Sequence, residues 1–88
     1  MRVVVIWRES SDYARDVIDW LENFRRRTGE ELESVNPDDK EGISLVETYN
    51  AVQYPTILAL SSDGILQKDW SGLPLPLIDE VAYYLRQS

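Results

Sequence analysis

The chain has 88 residues, a size suited to one domain around one core, and it is acidic, with 28% charged residues and a net charge of −7. It contains no cysteine and no histidine, which removes disulfides, thiolate nucleophiles, imidazole bases and the usual zinc ligands together. The acidic balance argues against a nucleic-acid surface, no stretch approaches the roughly 20 apolar residues that cross a bilayer, and no signal-peptide pattern opens the chain, so a cytoplasmic protein is expected.

Residues 2–7, Arg-Val-Val-Val-Ile-Trp, form a nearly continuous β-branched run, the pattern of a central strand covered on both faces. From Ser11 the period changes. Ala14, Val17, Ile18, Leu21 and Phe24 recur at helical spacing, with Tyr13 and Trp20 widening the stripe, and Ser11 is the expected N-cap. Arg25, Arg26 and Arg27 suit the negative end of that helix better than they suit an anion patch. Gly29 follows where a left-handed C-cap residue is favoured.

Residues 31–35 read as a short second strand anchored only by Leu32 and Val35. Asn36-Pro-Asp-Asp39 is a turn, after which Gly42, Leu45, Val46 and Tyr49 line up along a second helix ending near Asn50. Residues 56–60 and 65–70 flank Ser61-Ser-Asp-Gly64, which predicts a β-hairpin. Pro74 and Pro76 punctuate the chain before Leu77, Ile78, Val81, Ala82 and Leu85 resume helical spacing in a last helix expected to reach the C-terminus. The order is β-α-β-α-β-β-α in a single domain over residues 1–88, with a crossover that makes the first two strands parallel. An α/β domain with a four-stranded mixed sheet is expected.

Tyr49-Asn-Ala-Val-Gln-Tyr-Pro-Thr56, the Asp-Gly turn and Trp70-Ser-Gly72 resemble the second half of thioredoxins. In the first half, Ser11-Asp-Tyr-Ala14 is similar to the Cys-Pro-Tyr-Cys turn of glutaredoxins, with serine and alanine where the two cysteines would stand. The resemblance implies a thioredoxin-like fold whose redox chemistry is gone. A serine hydroxyl has no two-electron sulfur chemistry, and no histidine is present to activate it, so no catalytic residue is assigned and a helix cap is its expected role.

The same resemblance implies that the bond before Pro55 is cis and that the backbone of Tyr54 faces a groove, where relatives pair with an extended peptide or with glutathione. Read without it, Pro55 starts an edge strand. The candidate groove residues are Trp7, Ser11, Tyr13, Tyr54, Pro55 and Thr56. Trp7 is balanced between core and groove, whereas Trp20 and Trp70 are expected at the core or its rim. Arg8 and Glu9 are expected to be solvated loop charges, and neither Asp12 with Asp16 nor Asp38 with Asp39 forms a convincing catalytic or metal pair. No cofactor and no metal are expected. The favoured function is binding of a protein or peptide partner, the alternatives being a glutathione-binding, transferase-like remnant and a scaffold or oligomer subunit.

Overall fold

The computed structural model describes residues 1–87. Seven elements follow in the expected order: β1 (Arg2–Ile6), α1 (Ala14–Thr28), β2 (Glu33–Val35), α2 (Lys40–Tyr49), β3 (Thr56–Leu60), β4 (Leu66–Ser71) and α3 (Ile78–Leu85). The strands form one mixed sheet in the order β2-β1-β3-β4. β1 runs parallel to β2 and antiparallel to β3, and β3 runs antiparallel to β4.

Alternation along the two inner strands divides the core between the two faces of the sheet. Val3 and Val5 of β1 join Ile57 and Ala59 of β3 against Val17 and Phe24 of α1 and Val81 and Ala82 of α3. Val4, Ile6, Leu58 and Leu60 face the other way, against Leu45 and Ala51. Both inner strands are therefore covered twice, which is why their sequences are continuous apolar runs. Because β3 lies between β1 and β4, Pro55 does not open an edge strand.

The turn residues act as their chemistry predicts. Gly29 and Asn50 end α1 and α2 in the left-handed region, at φ 77° and 55°. The hairpin turn closes with the Gly64 N–H donating to the Ser61 carbonyl at 2.9 Å. A register shift between Ala59 and Leu60 marks a bulge beside this turn. Gly42 serves a different need. It is buried where α2 crosses the Asn36-Pro37 backbone, and a Cβ there would overlap the Asn36 carbonyl.

Several expectations are corrected. α1 begins at Ala14, and Ser11 is not its N-cap: the cap position is Tyr13, with no side-chain cap bond. Ser11 instead lies one turn upstream, its hydroxyl directed back to the Arg8 carbonyl and so removed from the amides ahead of it. Ile18 is exposed rather than part of the buried stripe, because Val17 and Phe24 are the residues of α1 that sink fully into the core. β2 is shorter than predicted, since only three residues reach β1. α3 ends at Leu85, where the Gln87 N–H bonds the Tyr84 carbonyl and tightens the last turn.

Trp20 and Trp70 are half-buried against the core, as expected. The Trp20 indole donates to the Pro76 carbonyl at 2.8 Å. That bond ties α1 to the segment entering α3. Among the described residues, no helix is long and apolar enough to cross a membrane.

Candidate functional site

Strand direction brings three loops to one end of the sheet. Ile6 lies opposite Thr56 across the antiparallel ladder and beside Val35 across the parallel one. The chain therefore leaves β1 at residue 7, enters β3 from residue 55 and leaves β2 at residue 36 on the same edge of the molecule. Trp7 extends the parallel pairing by one bond, its N–H donating to the Val35 carbonyl at 3.1 Å.

Arg8 joins these three loops. Its backbone N–H donates to the Tyr13 hydroxyl at 3.0 Å, and its carbonyl accepts from the Ser11 hydroxyl at 2.6 Å. Its guanidinium forms a two-pronged pair with Asp38, Nε to Oδ2 at 3.0 Å and Nη2 to Oδ1 at 3.1 Å. The same guanidinium lies over the Tyr54 ring, 5.0 Å from its centroid. The hydrogen bond from Arg8 holds the Asp38 carboxyl below its usual range, and the reciprocal contact raises the Arg8 pKa.

The six candidate residues thus separate into three groups. Trp7 and Tyr54 are half-buried, Trp7 packed against one core cluster and Tyr54 against the other. Ser11 and Tyr13 are also half-buried, but their hydroxyls are engaged with the backbone of Arg8. Pro55 and Thr56 are both buried, Thr56 to 1% exposure, with its hydroxyl donating to the Gln53 carbonyl. The Pro55 carbonyl accepts the Gly72 N–H at 2.8 Å, and the Tyr54–Pro55 bond is cis.

Tyr54 differs from Pro55 and Thr56. Among the described residues, neither its N–H nor its carbonyl meets a hydrogen-bonding partner. A backbone donor and acceptor left open side by side can pair with an extended chain as an added strand does.

Arg8, expected to be a solvated loop charge, and Asp38, weighed only beside Asp39, are paired with each other, which the sequence did not indicate. They stand 30 positions apart, one in a loop after a strand and one in an Asn-Pro-Asp-Asp turn, with no shared period to connect them. Beside them, an open cleft of about 640 Å3 is lined by Trp7 and Glu9, by Ser34 and Val35 of β2 with Asn36, and by Asp39, Lys40 and Glu41 at the start of α2.

No family model matches the sequence, and no curated protein matches it. Solved structures do share its architecture. Thioredoxin 1 from the thermophilic eubacterium Thermosipho africanus TCF52B aligns over 97% of this chain and 90% of its own, with a TM-score of 0.63 at 13% identity. A putative disulphide-isomerase from Bacteroides thetaiotaomicron aligns over 98% of this chain and 77% of its own, with a TM-score of 0.66 at 16% identity. The fold is thioredoxin-like, here in a chain that carries no cysteine.

Proposed function

We propose that this domain is a redox-inactive thioredoxin-like module that binds an extended segment of a partner protein along Trp7, Tyr54 and the backbone of the Tyr54-Pro55 loop. The observation that carries the reading is the open N–H and carbonyl of Tyr54, next to a Pro55 carbonyl and a Thr56 hydroxyl that are both satisfied internally. An enzyme reading has less support. A thioredoxin-like fold normally places a thiolate at the start of the helix after its central strand, and here that turn holds a serine committed to the Arg8 carbonyl. With no thiol and no imidazole anywhere in the sequence, thiol–disulfide exchange is not open to this chain.

Glutathione fits this lining poorly. It carries two carboxylates and one amine, whereas the cleft presents Glu9, Asp39 and Glu41, and Arg8 is already paired with Asp38. A peptide bound mainly through its main chain has no such conflict.

Selection from a random library of extended peptides tests the proposal, with wild type compared against Tyr54→Ala. Wild type should enrich ligands whose affinity falls about tenfold or more in the variant, while circular dichroism shows an unchanged fold. Equal affinity for the two proteins would remove the groove from the account.

A further inference from the structure

The main chain of Tyr54 makes no hydrogen bond to the described residues, so no bond of its own fixes the direction in which its N–H and carbonyl point. That direction is set by its neighbours in the chain and by its side chain. On the following side, the Pro55 carbonyl and the Thr56 hydroxyl are tied to Gly72 and Gln53. The ring is held from two sides. It packs against the core cluster that includes Ile6, Leu45 and Ala51, and the Arg8 guanidinium lies over it, 5.0 Å from its centroid.

Arg8 is itself anchored at both ends. Its backbone follows Trp7, whose N–H reaches the Val35 carbonyl at 3.1 Å, and is bonded by the hydroxyls of Tyr13 and Ser11. Its guanidinium is gripped by Asp38 through two bonds of 3.0 and 3.1 Å, and a two-pronged pair fixes the guanidinium plane as a single contact does not. Asp38 stands in a turn closed on itself. Its N–H donates to the Asn36 side-chain oxygen at 2.8 Å, the Asp39 N–H donates to the Asn36 carbonyl at 3.0 Å, and Gly42 of α2 lies against the same backbone. The guanidinium is thus a strut between the 36–39 turn and the Tyr54 ring.

We infer that Arg8, oriented by Asp38, is a positioning residue: it holds the Tyr54 ring and through it aims the open N–H and carbonyl of Tyr54 at an incoming strand. This rests on the peptide-binding reading above and adds to it the device that preorganises the binding atoms. Fixing those atoms beforehand lowers the ordering cost of association. Arg8 acts here without touching the peptide. Its side chain and that of Asp38 are 40% and 65% exposed, so the contribution is modest and falls with salt.

The test titrates a short blocked peptide of alternating valine and threonine into the full chain, followed by NMR, and measures amide relaxation in the free protein. Arg8→Ala should bind the peptide about threefold more weakly. In the same variant the order parameter of the Tyr54 amide should drop below about 0.85, the value of rigid backbone. Asp38→Asn should move both readouts the same way by less, because the guanidinium stays but is no longer oriented. Arg8→Lys keeps the cation and should recover part of the loss. Weaker binding by Arg8→Ala with an unchanged order parameter means that Arg8 contacts the peptide directly. Wild-type affinity in Arg8→Ala beside weakened binding in Tyr54→Ala means that the strut contributes nothing. Either result overturns the inference and leaves the groove standing. Wild-type affinity in Tyr54→Ala, or a Tyr54 amide that does not shift on adding peptide, removes the groove and the positioning role with it.

Discussion

Two loops meet where β1 ends and β3 begins, and they have been treated differently by the rest of the molecule. In residues 7–13 the hydroxyls of Ser11 and Tyr13 are both spent on the backbone of Arg8, whose guanidinium is in turn held by Asp38 and Tyr54. In residues 53–56 the side chains of Pro55 and Thr56 are buried, yet the backbone of Tyr54 stays open. The turn at residues 8–13 is a brace. The proline loop keeps the groups that can pair with another chain. The absence of cysteines leaves the Tyr54 backbone as it is, because thiol chemistry and main-chain pairing depend on different atoms.

The hardest way to break this contrast is to displace the element that holds Asp38. Gly42→Ala puts a methyl group into the Asn36 carbonyl, so α2 or the 36–39 turn must move. Urea denaturation should show a loss of about 3 kcal/mol, the upper range for overpacking against a fixed neighbour. Wild-type stability in this variant would mean that the turn is free to shift and that Asp38 is not fixed by it.

A milder change sharpens the comparison. Tyr13→Phe removes the acceptor of the Arg8 N–H and should cost about 1 kcal/mol in the same measurement. Its peptide affinity should stay within about twofold of wild type, since the lost hydroxyl serves the brace and not the ligand. An affinity loss as large as that of Tyr54→Ala would merge the two loops into one binding surface.

The smallest effect is electrostatic. The Asp38 carboxyl titrates below its unfolded value of about 3.9, so its contribution to stability is present above that pH and is lost as pH falls through the folded pKa. The Arg8 pKa is raised, so its share is lost only far on the alkaline side. Both groups are exposed, which keeps the effect slight. A carboxyl-carbon NMR titration should show the Asp38 midpoint moving up toward the ordinary value in Arg8→Ala. An unmoved midpoint would assign the lowered pKa to another cause.

The order of elements was legible in the sequence because helices and strands announce themselves through short-range periods. Val3, Val5, Ile57 and Ala59 lie in apolar runs that only doubly covered strands require, and Gly29, Asn50 and Gly64 mark the ends and turns where left-handed backbone is needed. The absence of thiol chemistry was equally plain, since it follows from composition alone. The start of α1 was misread because Ser11 satisfies a cap pattern locally, while its hydroxyl finds a partner behind it in Arg8.

What the tertiary structure decided is who meets whom at the end of the sheet. Arg8, Asp38 and Tyr54 come from three loops with no common period, and only the register of β2-β1-β3 brings them together. The burial of Pro55 and Thr56 depends on the same packing. A sequence records the local preferences that build each element. Contacts between loops are set by how the assembled sheet directs them, and no neighbouring residue in the chain encodes that direction.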